Sequence, residues 1–156
     1  MLLQSGQPAP DFSLYDSEKK LRSLAEFKGQ PVLLLFFPLA FTSVCTKELC
    51  SVRDNIAIYN NAKTTVLGIS VDSPQTLAKF KEDQHLNFPL LSDFNKEASA
   101  AYGALYEMFG LNMRGVSKRA AFLVDAEGIV RYAEVLENAG QVPDFNAIEK
   151  ELVKLH

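Results

Sequence analysis

The chain reads as an α/β protein with a central mixed β-sheet flanked by helices. Residues 32–37 form a continuously apolar run, the character of a central strand buried on both faces. Residues 64–72 form a second β-rich run, and each run is followed by a segment of helical character, the alternation that builds parallel strands. Residues 119–124 and 129–135 flank the turn sequence Asp125-Ala126-Glu127-Gly128, which adds an antiparallel hairpin and makes the sheet mixed. At 156 residues and 47% hydrophobic content, the chain fills one core well and two poorly. Residues 1–156 are therefore expected to form a single domain.

The elements follow in order. An N-terminal extension opens with Gln7-Pro8-Ala9-Pro10, an extended lead-in, continues as a short strand over 11–15, and holds a strand or turn over 21–27 that ends at Lys28-Gly29-Gln30. The core strand 32–37 is stopped by Pro38, which cannot donate to a ladder. A helix is predicted over 42–61, with Thr42 or Ser43 as N-cap. After the strand 64–72, Ser73 caps a helix with Pro74 at its first position, continued by Leu77, Phe80 and Lys81 towards His85. Phe88-Pro89-Leu90-Leu91 reads as a short strand compatible with an edge, because proline is tolerated there. A helix over 96–102 precedes a glycine-interrupted loop over 103–118, a length that is often functional. After the hairpin, Pro143 and Asp144 open a closing amphipathic helix with Phe145, Ile148, Leu152 and Leu155 on one face.

Charge narrows the partners. The formal net charge of -3, with no cluster of Lys and Arg, argues against a nucleic-acid footprint and favours a small or neutral partner. Met1-Leu2-Leu3-Gln4 lacks a charged segment followed by a long apolar one, and no stretch approaches the roughly 20 apolar residues that span a bilayer. The expectation is a soluble cytoplasmic protein with no membrane partner. His85 and His156 lie outside every motif and are expected on the surface. Two cysteines, Cys45 and Cys50, are too few for a disulfide scaffold. In a reducing compartment such a pair means chemistry, a metal or buried filler.

Cys45 has the strongest claim to chemistry. It lies beyond the carboxyl end of the 32–37 strand and in the first turn of the following helix, where unpaired N–H groups and the macrodipole favour negative charge. A thiolate there is more populated and more reactive.

Pro38-x-x-x-Thr42-x-x-Cys45, with Glu48 after it, Arg119 opening a late strand and Gly68-Ile69-Ser70-Val71-Asp72-Ser73-Pro74 between them, resembles the peroxiredoxins of the alkyl hydroperoxide reductase and thiol-specific antioxidant superfamily. Phe88-Pro89-Leu90-Leu91-Ser92-Asp93 and Phe122-Leu123-Val124-Asp125 with Gly128 fall in the same order and spacing, so the resemblance covers nearly the whole chain. It implies a thioredoxin-like fold and a thiol peroxidase for hydrogen peroxide and organic hydroperoxides, with neither metal nor organic cofactor. It also implies a homodimer that associates through loops near the active site.

The chemistry explains the residue types. Cys45 is the expected nucleophile, becoming a sulfenic acid while the helix start and Arg119 stabilise its thiolate. Thr42, one turn earlier, positions the peroxide by hydrogen bonding, or serves only as an N-cap. Pro38 closes the pocket, or merely ends the strand. Glu48 holds Arg119, or is an ordinary exposed carboxylate, and Arg119 itself could be a strand-edge ion pair.

Cys50 is the branch point. The five-residue spacing resembles the bacterioferritin-comigratory-protein branch, which makes Cys50 a resolving thiol that forms a disulfide with Cys45, later reduced by a thioredoxin-type donor. In other features the chain resembles one-cysteine bacterial enzymes, where an external thiol does this and Cys50 only packs under the helix. In an ideal helix residues five apart have Cα atoms about 8.6 Å apart, whereas a disulfide needs roughly 4.4–6.8 Å. The first helical turns must therefore unwind for the two to bond. A thioredoxin-like disulfide oxidoreductase would place cysteines at C-x-x-C spacing, and here Glu48 holds the second place. A binding or chaperone module would not need Thr42 and Arg119 around one thiol. A zinc site lacks paired-ligand spacing, because His85 and His156 are distant.

Overall fold

The computed structural model describes residues 3–155, so the expectations for Met1, Leu2 and His156 lie outside the described residues. The elements are β1 (Ser13–Asp16), β2 (Leu21–Ser23), a 3-10 turn (Leu24–Phe27), β3 (Val32–Phe36), α1 (Ser43–Asp54), α2 (Ile56–Asn61), β4 (Thr65–Ser70), α3 (Pro74–Asp83), β5 (Leu90–Ser92), α4 (Glu97–Ala101), a second 3-10 turn (Gly110–Asn112), β6 (Arg119–Val124), β7 (Val130–Leu136) and α5 (Phe145–Lys154). The strands form one seven-stranded sheet in the order β2-β1-β5-β4-β3-β6-β7. β4 pairs in parallel with β3 and β5, and the remaining pairings are antiparallel, so the sheet is mixed.

Strand β3 lies inside the sheet between β4 and β6, and its side chains alternate between two layers of core. Leu33 and Leu35, with Phe37, pack towards α1 (Leu49, Val52), α3 (Leu77, Phe80) and α5 (Ile148, Leu152). Leu34 and Phe36 pack on the other side with Leu67, Ile69, Ala98 and Tyr102, closed by Phe12 and Leu14 from the N-terminal extension. Both faces are covered, as a continuously apolar strand requires. The predicted cap of α3 forms, with Ser73 accepting from Thr76 N–H, and Asp144, expected to open α5, caps it by accepting from Ala147 N–H.

Two elements differ from expectation. Strand β5 is interior rather than at the edge its proline permits, lying between β1 and β4 with Leu90, Leu91 and Ser92 all buried. Pro89 sits just before it, where its missing N–H is not needed, and its carbonyl accepts from Gly68 N–H at 3.0 Å. The predicted helix over 42–61 is two helices, broken at Asn55 (φ −111, ψ 19). The Asn55 amide donates to the Ser51 carbonyl at 2.9 Å, a side-chain bond that competes with helix continuation.

Candidate active site

The site is assembled where β3, α1 and β6 meet. Phe37 N–H donates to the Ile69 carbonyl (3.0 Å) beyond the end of β3, and Pro38, buried, turns the chain away from the sheet. Phe41 then takes a left-handed conformation (φ 68) and stacks edge-on against Phe80 at 5.1 Å, remaining half exposed. The turn is tied to the sheet by Asp72, whose Oδ2 accepts from Ala40 N–H (2.8 Å) and from Ser70 Oγ (2.7 Å).

Thr42 stands at the N-cap of α1, but its side chain makes no capping bond. Its hydroxyl instead donates to the Leu39 carbonyl at 2.7 Å. The sequence reading of Thr42 as a side-chain cap is thereby corrected: the hydroxyl proton is committed to the loop, and the oxygen keeps acceptor capacity.

Cys45, Glu48 and Arg119 come together and are each about 1% exposed. Arg119 Nη2 donates to Cys45 Sγ at 3.2 Å, and Nη1 donates to Glu48 Oε1 at 2.7 Å. Glu48 is thus a buried partner of Arg119 rather than an exposed helix carboxylate, and Arg119 is not a strand-edge ion pair. The guanidinium is further fixed by the Ala139 carbonyl, which accepts from Nη2 (2.9 Å) and Nε (3.2 Å). Burial works against the Arg119 charge, and the charges of Glu48 and Cys45 outweigh it, holding the group above its ordinary value. Burial pushes Glu48 up to about 7, with Arg119 opposing the rise. Its second oxygen, Oε2, has no hydrogen-bond partner among the described residues.

Cys50 lies further along α1, partly buried, and both cysteines are free thiols. Its Sγ–H donates to Gln84 Oε1 at 3.4 Å. Sequence reasoning missed Ala139 and Gln84. Ala139 acts through a backbone carbonyl, which carries no residue signature, and the only hint is the Asn138–Gly140 turn beside it. Asp72 lay inside a noted motif but had no assigned task.

A buried thiol bonded by an arginine at the start of a helix, ahead of a mixed sheet, coincides with a match to the AhpC/TSA family over residues 5–133. The chain belongs to the AhpC/TSA family. As a peroxiredoxin it is an enzyme that reduces peroxides with a thiol, on a thioredoxin-like fold. It is 40% identical over 146 residues to alkyl hydroperoxide reductase E of Mycobacterium tuberculosis, covering 92% of both chains. It is 39% identical over 132 residues to peroxiredoxin Bcp of Escherichia coli, covering 83% of this chain and 84% of that protein. The crystal structure of peroxidoxin BcpB from Mycobacterium tuberculosis superposes with a TM-score of 0.83 at 31% identity, covering 98% of this peroxiredoxin and 96% of that chain.

Proposed function

We propose that Cys45 is the peroxidatic thiol, and the observation that carries this is its hydrogen bond from the buried Arg119 guanidinium. The Cys45 thiolate attacks one peroxide oxygen; the S–O bond forms as the O–O bond breaks, leaving Cys45 as sulfenic acid and an alkoxide or hydroxide that takes up a proton. Arg119 stabilises the thiolate and the charge developing on the departing oxygen. Thr42 receives the hydroperoxide O–H on its oxygen, since its own proton is held by Leu39. Pro38 shields the pocket from water, and Glu48 with the Ala139 carbonyl orients Arg119.

In the same reading Cys50 then displaces hydroxide from the Cys45 sulfenic acid, giving a Cys45–Cys50 disulfide and water, after the intervening turn of α1 melts. A thioredoxin-type dithiol reduces that disulfide, which places the cycle in a reducing compartment, the cytoplasm. The half-exposed Phe41, beside the helix start that carries the thiol, favours a homodimer through its loop, tested by sedimentation of reduced and oxidised protein.

Peroxide consumption tests the first step: Cys45→Ser should abolish it, and a rate equal to wild type would remove the assignment. Intact mass after one equivalent of peroxide tests the second. Loss of two hydrogens supports Cys50, whereas a stable gain of one oxygen, or a thiol adduct, assigns the step to an external thiol.

A further inference from the structure

Helix α1 is tied very differently at its two ends. Near its C-terminus, Cys50 Sγ–H donates to Gln84 Oε1 (3.4 Å), and Arg53 Nη1 donates to the Gln84 carbonyl (2.6 Å). Asn87 Nδ2 adds a bond to the Arg53 carbonyl at 3.3 Å. One residue, Gln84 at the C-cap of α3, thus binds the second thiol through its side chain and the helix through its backbone. At the other end Phe41, Thr42 and Ser43 are exposed and α1 has no side-chain cap, which leaves the Arg119 bonds to Cys45 and Glu48 as its hydrogen-bonded ties to a neighbouring element. A helix start of that kind frays more readily than a helix end clamped to a neighbour.

We propose that Gln84 is a positioning residue for disulfide formation: together with Arg53 it holds Cys50 in place, so that the Cys45 end of α1 unwinds and travels to Cys50. The inference rests on the reading of Cys50 as the resolving thiol. The amide suits the task because it has both an acceptor and donors. Its Oε1 accepts from the thiol, and a half-turn of the terminal amide presents Nε2–H to the thiolate without placing a charge in the site. The Arg53 cation lies close enough for its charge to interact with Cys50, and its own titration is raised first by its bond to Asp54 and then by Cys50. In the step itself the Cys50 sulfur bonds the Cys45 sulfur, the S–O bond of the sulfenic acid breaks, and hydroxide leaves with the Cys50 proton as water. No further oxidant or reductant is required.

Positioning sets a competition. A sulfenic acid that waits longer for Cys50 is exposed to a second peroxide, which transfers an oxygen to give sulfinic acid and leaves as alcohol or water. The full chain and its Gln84→Met and Gln84→Glu variants are reduced, mixed with hydrogen peroxide, quenched by alkylation at intervals and weighed intact. Gln84→Met keeps the volume and removes both hydrogen-bonding capacities, and Gln84→Glu keeps an acceptor but repels the thiolate.

In both variants the loss of reduced Cys45 should stay within about twofold of wild type, while the species lighter by two hydrogens forms about tenfold or more slowly. The peroxide excess giving half-maximal sulfinic acid should fall by a similar factor. Disulfide formation at the wild-type rate in either variant would overturn the positioning role, as would an equal slowing of both steps, which marks general damage to α1. If wild type itself never loses two hydrogens, the resolving role of Cys50 fails and the positioning role with it; if wild type does and the variants match it, only the latter fails. In the expected case a purely structural Gln84 is excluded by the Gln84→Glu result, because that change preserves size and the acceptor.

Discussion

At the scale of the residue, the centre of the site is an arginine that could not be buried alone. Removing one partner of a buried ion pair costs about 3–5 kcal/mol, because it leaves a charge without compensation. Arg119→Met should therefore lose both stability of that order, read from urea unfolding, and roughly 100-fold or more in peroxide rate; a near wild-type rate would deny Arg119 a part in the reaction. Glu48 makes the pair sensitive to pH. Its folded carboxyl holds its proton up to about 7 against an ordinary value of 4.5, so between those values the folded chain binds more protons than the unfolded one. Stability should then fall as pH rises through that window and level off above it. Glu48→Gln removes the titration, so its unfolding midpoint should vary less between pH 5 and pH 8 than that of wild type. Parallel curves for the two proteins would show that Glu48 ionises near its ordinary value.

Elements carry the site by being packed without slack. Gly68 of β4 faces Leu90 of β5, and a Cβ added there would lie 2.7 Å from Leu90 Cδ2 and 3.4 Å from Phe37 Cε1. Both side chains are fully buried, so neither can retreat into solvent. Gly68→Ala should cost about 1–3 kcal/mol by overpacking, seen as a thermal midpoint lowered by roughly 2–4 °C per kcal/mol; an unchanged midpoint would mean that β4 and β5 separate easily. What could be read in advance follows the same physics. The β3 run, the hairpin of β6 and β7 and the face of α5 were legible because burial on one or two faces writes itself into side-chain periodicity. The interior place of β5 was not, since strand order depends on long-range pairing and Pro89 carried an equally valid edge reading. Nor was the break at Asn55, where one side-chain bond to Ser51 decides between one helix and two. At the site, Cys45 was legible from its place at a helix start and Glu48 and Arg119 through the family resemblance, and their meeting was not derivable from periodicity. The Ala139 carbonyl had no residue-type signal.

For the whole molecule, the proposed cycle links redox state to folding. A disulfide between Cys45 and Cys50 closes a very short loop, for which the unfolded-chain entropy model gives only about 2 kcal/mol of stabilisation. Against this, the turn that must melt contains Leu49, fully buried, and Glu48, the partner of Arg119. Exposing one leucine side chain costs about 1.5–3 kcal/mol, and stranding the Arg119 charge costs about 3–5 kcal/mol. The balance favours the reduced fold by about 3 kcal/mol or more, so the oxidised protein should unfold roughly 6–12 °C lower for a chain of this size. Thermal scans of one preparation with and without a dithiol would show it, with Cys50→Ser as the control that should lose the difference. An oxidised form unfolding at the same or a higher temperature would mean that the turn does not melt. The same 3 kcal/mol, expressed as a potential, makes the disulfide roughly 60 mV easier to reduce than an unstrained one. Packing of Leu49 and pairing of Glu48 would then help to drive each return of Cys45 to Arg119, ready for the next peroxide.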